Sequence, residues 1–366
     1  MSDYETDPIH KGRDASKRQK PGVVRELHPA GAGTGHGPQP EIAPQVRESL
    51  DILSEACGSN LVAVVFFGSV LVGTSPTADS AADLFVIVED YWAFYRDIHI
   101  RLPAARRASI MAALNRIMPP NIIYLRDPGD LRGGAKCFVI SREDFGKALS
   151  PDARDHFCRG RLVQRFQIVY SRSIREREQI EEEIETARRV SVEWVPVYLP
   201  ERFTVLEFCL RMLDVSYAGE IRPESQARVR EVFDAQRSYF TLMYGRILEE
   251  AVGEGRLRRI DGGYCLTKPP GISDRLYWRV FFAKSKVRAT LRWAKYMLTF
   301  EDWLDYIARK AERRTGVHLE LTKAERRLPA LLLWPKLFKV LNAMRPRRKR
   351  SRPAGEDKPS SNGNPI

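Results

Sequence analysis

The 366-residue chain has few cysteines and no long hydrophobic run. Its five cysteines are scattered, odd in number and without a C-x-x-C pair, which argues against a disulfide framework or a zinc site and favours a reducing compartment. No apolar run approaches the ~20 residues that a membrane-spanning helix needs. The N-terminus has neither the apolar core of a secretory signal nor the Arg-rich, acid-poor pattern of a transit peptide. The sequence therefore predicts a soluble or peripheral protein.

Acidic residues are scarce in only one part of the chain. The 60 Lys+Arg and 47 Asp+Glu residues give a net charge of +13, yet residues 1–274 carry −2 and residues 275–352 carry +16. This distribution argues against a histone-like protein coated in basic charge. A hydrophobic content of 43%, of which aromatics make up 10 percentage points, argues against a chain that is disordered throughout.

The pattern of apolar residues predicts an α+β protein. β-rich apolar runs predict strands at 61–67, 83–89, 121–125 and 136–141, and the first two suit strands buried on both faces. Helical patterns lie between and after them, at 104–117, 143–157 and in the charged segment that ends at Arg189. We predict five segments: a disordered tail (1–42), an α+β domain with a mixed sheet (43–190), a winged-helix-like helical domain (191–274), a basic helical region (275–345) and a second disordered tail (346–366).

The winged-helix-like assignment depends on two helices followed by a hairpin. Amphipathic patterns predict one helix over 201–222 and one over 225–252. Two short strands then flank a Gly-Gly turn after Asp261, which is typical of a β-hairpin.

The most informative segment links the first two predicted strands. Strand 61–67 is followed by Gly68 and Ser69, and Asp83 starts the next strand. A Gly-Ser turn lets backbone N–H groups approach phosphate oxygens, and a carboxylate on the adjacent strand can hold Mg²⁺ that bridges those phosphates. The alternative is two core strands joined by a glycine turn.

This motif resembles that of the polymerase-β-like nucleotidyltransferases, in which Gly-Ser precedes two alternating carboxylates. Here the second position is Phe85. With an apolar residue at that position, the motif resembles that of the mitochondrial translocator assembly and maintenance family, the soluble-type CTP:phosphatidate cytidylyltransferases. Further blocks resemble that family in the same order over about residues 60–250: Glu89-Asp90, Lys136-Cys-Phe-Val-Ile-Ser141, Cys158-Arg-Gly-Arg-Leu162, Ser216-Tyr-Ala-Gly-Glu-Ile-Arg222 and Tyr244-Gly-Arg-Ile-Leu248.

The resemblance implies Mg²⁺-dependent transfer of CMP from CTP to phosphatidic acid, giving CDP-diacylglycerol and pyrophosphate. The roles that it implies are as follows: Gly68 and Ser69 hold the triphosphate, Asp83 and Glu220 bind Mg²⁺, Lys136 and Arg161 stabilise the transition-state or leaving-group charge, and Ser216 and Tyr217 belong to the cofactor-binding set.

Ordinary structural roles compete with these assignments. Lys136 could be a strand-edge lysine, Arg161 a surface ion-pair partner and Glu220 a helix-terminal carboxylate. For Asp90 we favour a helix cap over metal ligation.

The basic C-terminal segment predicts contact with an anionic membrane. Residues 323–352 contain eleven basic residues and one acidic residue. Within 333–344 apolar residues fall on one helical face, with Trp334 and Phe338 close by, and a polybasic run follows. The stretch from Arg275 adds seven basic residues interleaved with aromatics. Nucleic-acid binding and plain core packing remain alternatives that we favour less.

These features predict a peripheral enzyme at the cytoplasmic face of an inner membrane, with a bacterial-type cytoplasm favoured over a mitochondrial matrix. Two alternatives are a nucleotidyltransferase with a different acceptor and a catalytically inactive module that binds lipid or nucleic acid.

Overall fold

The computed structural model describes residues 42–74, 80–101, 107–125, 134–219, 226–299 and 322. The described residues up to 299 belong to one compact unit, and only residue 322 is described in the second unit, 301–366. The helix predicted within 333–344 and the predicted tails, apart from residue 42, lie outside the described residues. No helix among the described residues is both long enough and apolar enough to cross a bilayer.

A mixed five-stranded sheet forms the centre of the first part of the chain, which confirms the α+β class. Its strands are β1 (Leu61–Phe67), β2 (Ala82–Val88), β3 (Asn121–Leu125), β4 (Ala135–Ser141) and β5 (Phe166–Ser171). Their order is β3-β4-β2-β1-β5, and β2 and β4 are parallel while the other neighbours are antiparallel. The four strands predicted from apolar runs are all present.

Helices cover both faces of this sheet. They are α1 (Pro44–Cys57), α2 (Ser69–Val72), α3 (Tyr91–Arg101), α4 (Ala108–Ile117), α5 (Arg142–Leu149), α6 (Phe157–Leu162) and α7 (Ile174–Arg189). All seven residues of β1 are buried, because its side chains enter two apolar clusters, one on each face of the sheet. α1, α3 and α4 pack in one cluster, and α5, α6 and α7 pack in the other.

A separate apolar core follows α7. It is formed mainly by α8 (Ser191–Trp194), α9 (Val205–Ala218), α10 (Gln226–Ala235), α11 (Arg237–Gly253) and the start of α12 (Ile272–Thr299). The predicted hairpin is present as β7 (Leu257–Ile260) and β8 (Gly263–Leu266), and a short unpredicted strand, β6 (Arg202–Phe203), pairs with β8.

Two predicted helices are each divided in the structure. The stretch 143–157 is helical only as far as Leu149, where α5 ends, because the residue before Pro151 disfavours helical geometry; α6 starts at Phe157, the last residue of the stretch. The stretch 225–252 is interrupted at Gln236. The buried Gln236 side chain accepts a hydrogen bond from the backbone N–H of Arg165 across the chain, so a tertiary contact coincides with the break.

Three cations in the first part of the basic segment are bound inside the protein. Arg288 and Arg292 of α12 both bind Asp155 at 2.7 Å, and Lys295 donates to the backbone carbonyls of Met118 and Pro120. These three cations therefore satisfy acceptors inside the protein instead of facing a membrane.

Candidate active site

The Gly68 turn and the Asp83 carboxylate are in close contact at the end of β1. Phe67 is the register partner of Asp83, so the turn begins beside this carboxylate. Gly68 has φ of 86°, which side-chain-bearing residues rarely adopt, and a Cβ on it would lie 2.6 Å from Asp83 Oδ2. Glycine is therefore needed for this approach. The structure brings Gly68, Ser69 and Asp83 together, as the sequence predicts.

Phe85 belongs to the hydrophobic core at the position where a second carboxylate would stand. Its side chain is fully buried, and its ring stacks on Phe67 at 4.7 Å between centroids. Phe138 and Phe145 complete the cluster at 5.5 and 5.8 Å. The space beside β2 is thus filled by aromatic packing, and Asp83 is the carboxylate that this strand contributes.

Lys136 lies beside Asp83 because the two residues are register partners in the parallel β2–β4 pair. Its Nζ is 4.0 Å from Asp83 Oδ1 and 4.7 Å from the centroid of the Phe138 ring. Both members of the ion pair are partly exposed, so the pair adds little to stability. β4 lies inside the sheet, so Lys136 does not belong to an edge strand.

Arg161 of α6 reaches the same aromatic surface. Its guanidinium carbon is 3.7 Å from the centroid of the Phe157 ring and 5.5 Å from that of Phe138, and Nη1 donates to the Phe157 carbonyl at 2.8 Å. Lys136 and Arg161 therefore contact the same Phe138 ring, and Lys136 also lies beside Asp83. Two cations on one aromatic surface suit a polyanionic ligand.

A buried contact between the start of α6 and α9 helps to fix the position of α6, the helix that carries Arg161. His156 Nε2 lies 2.9 Å from Ser216 Oγ, and the His156 ring packs edge-on against Trp194. A Cβ on Gly160 would lie 2.9 Å from His156 Cδ2, so the helix can approach this ring only with glycine there. Ser216 is itself buried, so its hydroxyl helps to position α6. Its predicted place in the cofactor-binding set stays a prediction.

The burial of His156 predicts a specific loss of stability in acid. Burial, together with the nearby Arg159 guanidinium, lowers the pKa of His156 to about 3. Below pH ~6.5 the imidazole of the unfolded chain becomes protonated, whereas the imidazole of the folded chain stays neutral down to about pH 3. Protons therefore bind preferentially to the unfolded chain, and folding stability falls as pH falls. His156→Gln should remove this dependence, making the slope of unfolding free energy shallower by up to about 1.4 kcal/mol per pH unit.

Urea unfolding of wild type and variant between pH 6.5 and 4.5 measures this slope. The opposite result, equal slopes in the two proteins, would show that His156 does not titrate in this range on unfolding. Asp155 should not be substituted in this experiment, because it binds two arginines of α12.

The remaining predicted residues differ in what the structure shows. The Tyr217 hydroxyl accepts a hydrogen bond from Gln164 Nε2 at 3.1 Å, and Gln164 Oε1 accepts one from Gln236 at 3.3 Å. Tyr217 is thus tied to the break between α10 and α11. Glu220 lies outside the described residues, so its predicted metal-binding role stays a prediction.

The described residues of the site fit a Mg²⁺ ion that is bound by one protein carboxylate. Mg²⁺ usually keeps several waters and binds through one or two carboxylates plus substrate phosphates. Asp83 supplies one carboxylate, and the turn residue next to it, Gly68, has no side chain. No cluster of three acidic, histidine or cysteine ligands occurs within the described residues, so an all-protein cage is absent there.

Two further contacts clarify the surroundings of the site. Asp90 Oδ1 accepts a hydrogen bond from the backbone N–H of Ala93 at 2.8 Å, which confirms Asp90 as the cap of α3. Arg228 of α10 donates to Thr74 Oγ1 at 3.2 Å and so fastens the end of the Gly68 turn to the second core. Sequence reasoning missed both Arg228 and His156, because nothing in their local patterns indicates contacts over 154 and 60 residues.

Comparison with protein-family models finds no match for this chain. Comparison with curated proteins finds no match either. A functional assignment therefore depends on the geometry of the site and on the resemblance of the sequence blocks.

Proposed function

We propose that this protein is a Mg²⁺-dependent nucleotidyltransferase that transfers CMP from CTP to phosphatidic acid at a membrane surface. The observation that carries the proposal is the Asp83 carboxylate held against the Gly68 turn, with the Lys136 ammonium 4.0 Å away. We assign the sheet unit a polymerase-β-like fold and the following helical unit a winged-helix-like fold. The enzyme would work peripherally, at the cytoplasmic face of an inner membrane.

The reaction asks for positioning and charge neutralisation. A phosphate oxygen of phosphatidic acid attacks the α-phosphorus of CTP, a new P–O bond forms, and the α–β bridging bond breaks to release pyrophosphate. A phosphate monoester has its second pKa near ~6 and is largely dianionic at neutral pH, so a strong general base is unnecessary. The protein must therefore hold the two anions in line.

Each described residue has a distinct task in this scheme. The backbone at Gly68 and the Ser69 hydroxyl would hold the triphosphate, and Asp83 would bind the ion. A Mg²⁺ ion held there would supply neutralisation of the phosphate charge. Lys136 and Arg161, which share the Phe138 ring, would stabilise the negative charge that develops on the leaving pyrophosphate.

An acceptor panel tests the proposal against its alternatives. Pyrophosphate release from CTP is measured with phosphatidic acid, another lipid phosphate, a sugar phosphate and a protein acceptor. We expect release with phosphatidic acid. Release with another acceptor alone would favour a nucleotidyltransferase of different specificity, and no release with any acceptor would favour the inactive binding module.

Replacing Lys136 with glutamine should weaken catalysis without affecting folding. The ion pair with Asp83 is partly exposed, so stability should change by no more than about 1 kcal/mol. Loss of one cation from the leaving-group side should lower kcat/KM for CTP by about tenfold to a hundredfold.

Lys147→Gln is the matched control, since Lys147 is an exposed lysine that pairs with Glu143 on α5, outside the candidate site. Steady-state kinetics and thermal melts on both variants separate the two effects. Equal kcat/KM in K136Q and K147Q would exclude a role for Lys136 in the reaction.

A further inference from the structure

Helix α12 has two apolar faces, and only one of them packs against the protein. Trp278 and Phe282 enter the apolar core that follows α7. Arg292, about three turns further along α12, is buried on the same side. At 3.6 residues per turn, the opposite side carries a second row of apolar residues. We name this row the outer stripe, and it consists of Ile272, Leu276, Val280, Ala283, Val287 and Leu291.

The outer stripe is continuous and exposed. Ile272, Leu276 and Val287 have 87%, 61% and 60% of their surface exposed. The stripe covers about 100° of the helix circumference and, at 1.5 Å per residue, runs for about 28 Å. A contiguous exposed apolar surface of this kind is typical of an interaction site.

Cations border the stripe on both sides. Arg275, Arg279 and Lys286 lie along one border, and Lys284 lies on the other. Among the described residues no acidic side chain pairs with Arg279, Lys284 or Lys286. The inward cations of the same helix, in contrast, are bound to Asp155 and to backbone carbonyls.

We propose that the outer stripe of α12 lies in the interface of an anionic lipid bilayer, with the helix parallel to the membrane plane. An aliphatic face bordered by lysine and arginine is what such an interface accommodates: the apolar residues enter the acyl boundary and the cations meet lipid phosphates. This proposal deepens the proposed function and rests on it for the membrane surface, but the lipid contact itself requires neither CTP nor an active Asp83.

The charges disfavour a second copy of the chain as the occupant. Two outer stripes packed together would place unpaired cations of both copies side by side, and like charges in an interface are unfavourable. Single-stranded nucleic acid is disfavoured as well. Bases stack on aromatic rings, whereas the stripe residues are aliphatic.

A position-specific probe provides the sharpest test. All five native cysteines are buried, so one engineered cysteine on the surface can be labelled selectively with an environment-sensitive dye. Ala283→Cys places the dye in the centre of the outer stripe, and Leu242→Cys places it at an exposed apolar position of α11 as control. The full chain is mixed with vesicles of 70% phosphatidylcholine and 30% phosphatidylglycerol, a composition chosen for its anionic charge.

We expect a blue shift and quenching by brominated lipid at position 283, and neither at position 242. Vesicles that leave the chain unbound, or bound chain whose dye at position 283 stays in water, would overturn the proposal. So would a dye at 283 that is already shielded without lipid as protein concentration rises, which would indicate self-association.

A paired substitution tests the energetic role of the stripe. The double variant L276E/V287E should lower vesicle partitioning by about tenfold or more, because each substitution replaces an aliphatic side chain that would enter the bilayer with a charge that anionic lipid repels. The measurement is made at about 0.5 M salt, where polybasic attraction is largely screened and the apolar contribution remains. L242E is the control and should partition as wild type does.

Equal partitioning of the double variant and L242E would contradict the proposal. Loss of binding to a labelled oligonucleotide in the double variant, with vesicle binding unchanged, would assign the stripe to nucleic acid instead. Activity on a short-chain phosphatidic acid in detergent reports separately on the proposed reaction, so a failure of either proposal can be recognised.

Discussion

Asp83→Asn should lower the rate of CMP transfer by at least about a hundredfold, with a folded protein and an unchanged helix content. Asparagine keeps the shape of the side chain beside Gly68 but removes the charge that would bind Mg²⁺. Asp83 is partly exposed, and its pair with Lys136 is long at 4.0 Å, so folding should lose little. Initial rates with CTP, phosphatidic acid and Mg²⁺ measure the effect, and circular dichroism checks the fold.

The matched control for this substitution is Asp51→Asn on the exposed side of α1. It removes the same charge from the protein at a position outside the candidate site and should retain wild-type activity. If D83N and D51N were equally active, Asp83 would be a core-strand aspartate without a catalytic role.

Gly68→Ala should damage both activity and stability. A positive φ with an added Cβ costs on the order of 1–3 kcal/mol in folding free energy. The added carbon would lie 2.6 Å from Asp83 Oδ2, so the carboxylate must move away from the turn. Because the transfer reaction depends on the position of this carboxylate, we expect activity to fall by about a hundredfold as well.

Gly73→Ala distinguishes strain from displacement of the carboxylate. Gly73 also has a positive φ, 71°, but an added Cβ meets no atom within 4 Å. It should lose about 1 kcal/mol of stability and keep most of its activity. Urea unfolding and initial rates on both variants make the comparison. If G68A kept the activity of G73A, the close contact between Gly68 and Asp83 would be irrelevant to the reaction.

The central sheet was predictable from sequence because its strands carry unusually clear patterns. Residues 61–67 form a continuous β-rich apolar run, and such a run suits a strand that is covered on both faces. The breaks near Pro151 and at Gln236 were not predicted. The second of these coincides with a hydrogen bond to Arg165, a contact between segments that a periodic pattern does not encode.

The candidate site was predictable to the extent that it is local. Gly68 and Ser69 directly follow β1, Asp83 lies on β2, and antiparallel pairing of these consecutive strands places Phe67 opposite Asp83 and so brings the turn beside the carboxylate. Lys136 comes beside Asp83 only through the parallel pairing of β2 and β4. The support from His156 is a long-range contact, so it became visible only in the structure.

The direction in which each cation of the basic segment points also could not be predicted from the sequence. The sequence locates the positive excess in residues 275–352, but it does not say which cations face outward. In the structure Arg288, Arg292 and Lys295 point inward, while Arg279, Lys284 and Lys286 border the outer stripe. Burial therefore divides one basic helix into a buried side and an exposed side.

The most direct test of the account follows two labels through one reaction. CTP labelled at the α-phosphorus and CTP labelled at the γ-phosphorus are incubated in parallel with phosphatidic acid vesicles, Mg²⁺ and the full chain. Transfer of CMP predicts that the α label enters the lipid fraction while the γ label leaves as pyrophosphate in equal amount. A γ label in the lipid, or no label in the lipid from either nucleotide, would contradict the proposed transfer of CMP to phosphatidic acid.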